Sequence, residues 1–112
     1  MAAKFEIKKS ESGKYRFNLK AGNGEIILSS ESYEQKQSAL SGIESVKKNA
    51  PDEARYERKE ASNGQPFFVL KAANGEPIGR SETYSSKAAM ENGIESVKKN
   101  APDAEIADLT SA

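Results

Sequence analysis

Two matching stretches of the sequence hold the side chains that could do chemistry. Residues 30–33 (SESY) and 81–84 (SETY) each place hydroxyl groups beside a carboxylate. A serine nucleophile normally needs a positioned base, usually histidine, and the chain contains no histidine. A lysine could serve as the base, but no spacing in the sequence indicates such a pair. We therefore predict no catalytic residue, and we interpret Tyr33 and Tyr84 as aromatic wedges at strand-to-helix junctions.

The sequence gives no sign of a metal site or a cofactor. Cysteine and histidine are absent, and no run of carboxylates has the spacing of a calcium loop. Gly22 and Gly24 do not form a phosphate-binding loop, because their turn joins two strands instead of opening a helix. We therefore expect neither a metal nor a cofactor.

One group of basic residues could bind nucleic acid. Lys8, Lys14, Arg16 and Lys20 would line the outer face of the first predicted hairpin. The neighbouring aromatic residues alternate onto the opposite, buried face, where they cannot stack on bases. The chain as a whole has 17 basic and 17 acidic residues, so it lacks the basic field of a dedicated nucleic-acid binder. We therefore interpret this basic face as a solvated surface, with weak RNA binding as the alternative.

The elements that position these residues occur twice. A shift of 51 residues aligns the chain with itself without gaps, and 26 of the 50 aligned positions between residues 5–54 and 56–105 are identical. GIESVKKNAPD occurs at 42–52 and 93–103, and LKAGNGE at 19–25 returns as LKAANGE at 70–76. The chain is therefore a duplication, with repeats at residues 4–54 and 55–109.

Each repeat has the pattern β-β-β-α-β. Apolar residues alternate with polar ones in the first strands, as Phe5 and Ile7 do. A helix of about four turns follows, because apolar residues recur there at helical spacing. Ser32 with Gln35 has the pattern of a capping box for the first helix, and Ser85 or Ser86 could cap the second. The middle strand, ARYERKE at 54–60, could serve both repeats.

Gly42 and Gly93 lie in the middle of the predicted helices, where glycine costs about 1 kcal/mol relative to alanine. Each flanks the apolar face of its helix. We interpret them as points of close approach between the helix and the sheet or another helix. Backbone access for a ligand is the alternative.

A repeat of about 50 residues buries too little surface to be stable alone. Two repeats that place their helices over one shared sheet would pool their apolar faces. We therefore predict one α+β domain over residues 1–112, with a shared, mainly antiparallel sheet, two helices on one face and pseudo-two-fold symmetry.

The alternating first hairpin with its LKAxNGE turn, the SExY stretch and the GIESVKKNA helix ending resemble the YegP-like family of uncharacterised bacterial proteins. The resemblance covers about residues 4–108, in both copies. It implies units of three strands, a helix and a strand, found as tandem repeats or as paired single-repeat subunits. It also implies that C-terminal strands are exchanged, so that AEIADL at 104–109 pairs with the first half. It implies no activity.

Phe67 and Val69 mark a difference between the repeats, because they stand where the first repeat has Arg16 and Asn18. The segment QPFFVLKA is therefore apolar on both faces. Either the terminal segment ADLTSA or a second molecule covers these two side chains, or they form an exposed patch that binds a partner. We favour a cover over a patch for a different partner.

The leading hypothesis is a small non-enzymatic interaction or structural module. A partner protein could dock by strand addition or on Phe67 and Val69. A small-molecule site at the seam between the repeats, where duplicated tyrosines and lysines could converge, is a further alternative.

The bulk properties predict a cytoplasmic monomer that forms a pseudo-dimer within one chain. The chain has no cysteine, so nothing in it requires an oxidising compartment. No apolar run approaches the roughly 18 residues of a membrane span, and the N-terminus lacks the apolar stretch of a signal peptide. We therefore expect no membrane association.

Overall fold

The computed structural model describes residues 3–110, which form one seven-stranded sheet and two helices. The strands are β1 (Lys4–Lys9), β2 (Tyr15–Lys20), β3 (Ile26–Ser29), β4 (Tyr56–Glu60), β5 (Pro66–Lys71), β6 (Pro77–Arg80) and β7 (Glu105–Asp108), and the helices are α1 (Lys36–Asn49) and α2 (Lys87–Asn100). A short 3₁₀ turn follows each helix. The predicted α+β class is confirmed, and each repeat has the predicted order of three strands and a helix.

The two repeats meet in the middle of one mixed sheet, whose strand order is β4-β5-β6-β3-β2-β1-β7. At the seam, β3 and β6 pair antiparallel with Ser29 opposite Arg80. β7 crosses from the second repeat and pairs parallel with β1, so that Ile106 lies opposite Phe5. The strand exchange implied by the family resemblance is therefore present for AEIADL. The corresponding stretch of the first repeat, residues 54–57, enters β4 instead.

One hydrophobic core lies between the sheet and the helices, and both repeats supply it. The inward side chains of the strands, such as Phe17 and Phe68, are almost fully buried, as are Ile43 and Ile94 on the helices. These residues belong to a single cluster and not to two separate interiors. Because both helices cover the same face, the opposite face of the sheet has no helix over it.

The helix starts differ from each other. In α1 the N-cap residue is Gln35, and no side chain caps the helix, so the predicted capping box of Ser32 and Gln35 is wrong. In α2 the Ser86 hydroxyl accepts a hydrogen bond from the Ala89 N–H at 3.1 Å. Of the two predicted caps, Ser85 and Ser86, the second is therefore confirmed. Capping therefore acts only at the second helix, although the two helices have equal length.

Candidate functional site

Phe67 and Val69 lie on the helix-free face of the sheet, and both are buried, with 8% and 7% of their surface exposed. The Arg80 guanidinium lies 4.9 Å from the centre of the Phe67 ring. The terminal segment does not cover Phe67 and Val69, so this expectation is wrong for residues up to Thr110: β7 lies at the opposite edge of the sheet from β4. Residues 111–112 lie outside the described chain. Both residues are only slightly exposed, and Arg80 lies over the Phe67 ring; a partner site on these two residues stays a prediction.

These two side chains form the floor of a shallow cleft of about 300 Å³ on the helix-free face. Its rim is charged. Lys71 lies 2.6 Å from the Glu57 carboxylate and lowers the pKa of that group. This cleft therefore combines a small apolar floor with a rim whose charges are already partly neutralised.

The four residues of the predicted basic face are not free to act together. Glu6 lies among them, 3.0 Å from Lys20, and this contact lowers the pKa of Glu6. Lys14 is 3.4 Å from Glu34. Lys8 and Arg16 face each other across β1 and β2. Two of the four basic side chains are therefore paired with a glutamate, which weakens the attraction of this face for the phosphates of a nucleic acid.

The serine hydroxyls of the SExY stretches hold the backbone together. Ser30 Oγ accepts a hydrogen bond from the Phe17 N–H at 2.8 Å and donates to the Glu31 carbonyl at 2.8 Å. Ser81 makes the same pair of bonds with Phe68 and Glu82, at 3.0 Å and 2.8 Å. Both hydroxyls are buried and engaged as donor and acceptor, so each bridges a strand and the next segment.

Tyr33 and Tyr84 lie against the mid-helix glycines. Each ring is half-buried and stacks on a core phenylalanine of its own repeat, with ring centres 6.2 Å and 6.3 Å apart. A Cβ atom on Gly42 would lie 2.6 Å from the Tyr33 hydroxyl, and one on Gly93 would collide with the Tyr84 hydroxyl. Burial raises the pKa of both tyrosines. The glycines therefore make room for the tyrosines, as the packing interpretation requires.

Two matching clefts, the seam clefts, flank the junction of the repeats. Each combines the SExY stretch and helix of one repeat with the LKAxNGE turn of the other, and their volumes are about 340 and 440 Å³. Their linings correspond under the 51-residue shift: Ala21, Asn23, Glu25, Ile26, Ile27, Glu82, Thr83, Tyr84, Ala89, Asn92, Gly93 and Ser96 in one, and Ala72, Asn74, Glu76, Pro77, Ile78, Glu31, Ser32, Tyr33, Ser38, Ser41, Gly42 and Ser45 in the other.

The expected convergence of tyrosines and lysines at the seam is not seen, because Tyr33 and Tyr84 line different clefts and, in the part of the chain that the structure describes, the lining of neither includes a lysine. Each seam cleft holds two carboxylates and one tyrosine, and among residues 3–110 no lysine or arginine lines either cleft. The local field in both clefts is therefore negative.

The outer edges of the two equivalent strands β1 and β4 differ. On β1, the Ile7 carbonyl accepts a hydrogen bond from the Leu109 N–H at 2.9 Å, so the terminal segment covers this edge. Arg58 is the counterpart of Ile7. Phe68, which lies opposite Arg58 on β5, bonds on its other side with Ser81, through its backbone C=O and N–H. The Arg58 backbone N–H and C=O therefore lie on the outer edge, because hydrogen-bonded and non-hydrogen-bonded pairs alternate along an antiparallel ladder. Within residues 3–110 no strand lies beside that edge.

The empty position follows from how the chain is connected. Under the 51-residue shift, residues 54–57 are the counterpart of β7, which spans residues 105–108. Residues 54–55 of this stretch lie in the 3₁₀ turn and residues 56–57 begin β4, so the stretch cannot also lie beside β4. The tandem chain therefore has one strand fewer than full two-fold symmetry would give.

A cleft of about 330 Å³, the edge cleft, lies between the end of β4, the start of β5 and the first turns of α2. It is lined by Arg58, Lys59, Glu60, Pro66, Lys87, Met90 and Glu91. In the first repeat, the counterparts of Arg58 and Lys87 are Ile7 and Lys36. The Ile7 carbonyl accepts a hydrogen bond from the Leu109 N–H, and Lys36 forms an ion pair with Asp108. The edge cleft is thus the second repeat's version of the site that binds β7.

An ion-pair cluster replaces apolar contacts beside the edge cleft. Arg58 donates to both oxygens of Glu91, at 2.5 Å and 2.8 Å, and to Glu53 at 2.7 Å. These carboxylates raise the pKa of Arg58. The first repeat has Ile7 and Leu40 at the positions of Arg58 and Glu91. The sequence reasoning missed this edge, although these two apolar-to-charged differences between the repeats were a signal for it.

Neither helix of the described residues is long and apolar enough to cross a membrane. Residues 3–110 also contain no group of three or more acidic side chains placed to hold a metal ion.

Comparison with known proteins identifies both halves of the chain. A family model described as "Domain of unknown function (DUF1508)" matches residues 10–57 and again residues 61–108. The UPF0339 protein YegP of Yersinia pestis is 57% identical over 106 residues, which cover 95% of each chain. A UPF0339 protein of Pseudomonas aeruginosa is 53% identical over 108 residues, covering 96% of this chain and 98% of the relative.

Two solution NMR structures have the same fold. The protein of unknown function yegP from E. coli has a TM-score of 0.94 and 51% identity, covering 100% of this chain and 97% of its own. A UPF0339 protein from Shewanella oneidensis has a TM-score of 0.92 and 52% identity, covering 98% and 93%. With two matched domains and relatives that align over nearly the full length, this chain belongs to the UPF0339 (YegP-like) family, as a tandem pair of DUF1508 domains.

Proposed function

We propose that this protein is a small non-enzymatic interaction module that adds an extended segment of a partner protein to the outer edge of β4. The observation that carries the proposal is the empty strand position, because β1, the counterpart of β4, binds the strand β7 at the same place. Strand addition uses the free backbone groups of an edge for affinity and adjacent clefts for selectivity. The edge cleft provides such a space.

The non-enzymatic part of the proposal rests on the state of the candidate nucleophiles. Ser30 and Ser81 are buried and use their hydroxyls to bridge backbone groups. The chain has neither histidine nor cysteine to act as a base or as another nucleophile. We place the module in the cytoplasm, because the absence of cysteine removes any need for an oxidising compartment. We take it to be a monomer, because both repeats of one chain supply a single core.

A capped hexapeptide with the sequence of residues 105–110, EIADLT, tests the proposal as a model strand. Added at millimolar concentration to the ¹⁵N-labelled full chain, it should shift the amide resonances of β4. Arg58→Pro should abolish these shifts, because proline removes the outward N–H while leaving the bonds of Glu57 and Lys59 to β5 in place. Arg58→Ala is the matched control, since it loses the same side chain and keeps the N–H.

Three results would contradict the proposal. The β4 amides could stay unchanged at millimolar peptide. The shifts could fall on β1, which would mean that the peptide only displaces the chain's own β7. Finally, sedimentation equilibrium could reveal a dimer without peptide that Arg58→Pro dissolves, and a second copy of the chain would then be the occupant of the edge.

A second candidate is the binding of small organic cations in the seam clefts. Its support is the lining, which in each cleft has two carboxylates and a tyrosine ring without any basic residue. Carboxylates and aromatic faces both attract an ammonium group. Because the two clefts match, the chain should bind two molecules.

Titration calorimetry with the polyamine spermidine tests this second candidate. We expect two sites per chain in the wild type and about one effective site in Glu31→Gln or in Glu82→Gln, since each glutamate lines a different cleft. Glu11→Gln is the control, because Glu11 is exposed and lines neither cleft. Equal heats for all four proteins, or no heat at all, would exclude the candidate.

A further inference from the structure

We infer that the segment bound at the β4 edge runs parallel to β4 and carries a carboxylate that pairs with Lys87. This inference rests on the proposed strand addition and specifies the chemistry of the partner. The protein's own β7 supplies the template, because it is already bound in parallel at the equivalent edge of β1.

The template shows how an added strand is held at this position. The Asp108 carboxylate of β7 accepts a hydrogen bond from the Lys36 ammonium, and the backbone N–H of the next residue, Leu109, donates to the Ile7 carbonyl. Lys36 is the first residue of α1. One backbone bond and one ion pair with the start of a helix therefore fix β7 at its end.

Both parts of this arrangement recur at β4. Arg58 presents the backbone carbonyl that corresponds to that of Ile7, and Lys87 is the first residue of α2, as Lys36 is of α1. Lys87 is exposed and lines the edge cleft. Throughout residues 3–110, no carboxylate lies within ion-pair distance of it, whereas Lys36 has Asp108.

The other two cations that line the cleft, Arg58 and Lys59, already have acidic partners within the chain; Lys59 lies 3.7 Å from Glu57. Arg58 donates to Glu91 and Glu53, so its charge is already neutralised within the chain. A lysine in the first turn of a helix is also unfavourable by itself, because the helix N-terminus carries partial positive charge. A carboxylate brought to this point is therefore attracted by both Lys87 and the helix end.

The same cleft limits how acidic the partner can be. Glu60 also lines it and would repel further carboxylates, whereas the charge of Glu91 is paired with Arg58. The inference therefore requires one carboxylate at the position that corresponds to Asp108 and not a run of acidic residues there. The segment IADL of the chain itself has this character.

The test changes the charge at the aspartate of the peptide and, separately, the charge at residue 87 of the protein. We expect the hexapeptide EIADLT to bind the full chain about fivefold more tightly than the same peptide with asparagine in place of aspartate, as read from the β4 amide shifts. Lys87→Glu should remove this preference. A peptide with lysine at that position should then bind Lys87→Glu about fivefold more tightly than the wild type. Lys99→Glu, which makes the same change in net charge at the other end of α2, should leave all affinities unchanged.

The outcomes separate this inference from the proposed function. If the aspartate and asparagine peptides bind wild type equally well at β4, strand addition stands and the carboxylate inference is wrong. If Lys99→Glu weakens binding as much as Lys87→Glu, the peptide responds only to the net charge of the protein and not to Lys87. The inference then also fails. If no peptide shifts the β4 amides, the strand addition and the inference fail together.

Discussion

At the scale of single residues, the two mid-helix glycines explain a feature that helix propensity alone disfavours. Glycine costs about 1 kcal/mol relative to alanine in a helix. At Gly42 and Gly93 the space of the missing side chain is filled by the hydroxyl end of a tyrosine from the SExY stretch. The tyrosine ring is in turn held by stacking on the core, so it cannot easily move away. The glycine and the tyrosine are therefore one packing unit.

Gly93→Ala should destabilise the protein by about 1–3 kcal/mol, in spite of the better helix propensity of alanine. The added Cβ would collide with the Tyr84 hydroxyl and lie 2.7 Å from Cζ of its ring. Tyr84→Phe in the same chain should recover part of the loss, because it removes the hydroxyl and keeps the ring. Urea unfolding of the two single variants and the double variant measures this coupling. An unchanged midpoint for Gly93→Ala would show that the ring yields freely and that the packing account is wrong.

At the scale of elements, β7 shows how a short strand is held at an edge. It has four residues, of which Ile106 is 40% exposed, so burial contributes little to its docking. Its end is fixed instead by the contacts of Asp108 with Lys36 and of Leu109 with Ile7. The Lys36 ammonium, together with hydrogen bonds from Thr110, lowers the pKa of Asp108 from 3.8 to about 2.

This shift predicts a pH dependence for the docking of β7. The folded chain holds Asp108 ionised more strongly than the unfolded chain does, so its contribution is complete above about pH 4 and is lost as the pH falls toward about 2. We expect the hydrogen-exchange protection of the Leu109 amide, corrected for intrinsic rates, to fall over that interval. Asp108→Asn should lower the protection at neutral pH and remove this dependence. Asp103→Asn, an exposed residue in the turn before β7, is the control and should behave like the wild type. A wild-type profile that stays flat between about pH 4 and 2 would refute the account.

At the scale of the whole molecule, duplication gives a nearly symmetric body that one covalent connection makes asymmetric. In the link between the repeats, residues 54–57 end the 3₁₀ turn and begin β4, while their counterpart forms the separate strand β7. One edge of the sheet is therefore covered and the other is open. Charged residues have replaced apolar ones beside the open edge, as in Arg58 and Glu91, which keeps the edge soluble when it has no partner.

Much of the fold could be predicted from local patterns. The alternation of Phe5 and Ile7 located β1, and the helical spacing of apolar residues located both helices. The pooled core was predicted because each repeat alone has too few large apolar side chains. The cap of α1 could not be predicted, because the serine pattern was present and yet the helix starts four residues beyond Ser32 without a side-chain cap.

The candidate site was much less predictable. Phe67 and Val69 were correctly placed on the outer face, but their burial depends on Arg80, which reaches the Phe67 ring from the neighbouring strand. Lys20 was read as part of a basic surface, whereas pairing between β1 and β2 brings Glu6 to it. In both cases the deciding neighbour is distant in sequence, and only strand register brings it close.

The sequence by itself determined the duplication, the types and order of the elements, and which face of each element is apolar. These properties follow from periods of two, 3.6 and 51 residues along the chain, and such periods need no knowledge of which distant segments meet. Only the tertiary structure decided that the seam encloses two acidic clefts and that β4 keeps an open edge beside an unpaired Lys87 among the described residues. These features arise between residues of different elements, and their distances depend on sheet order and register, which no local pattern encodes.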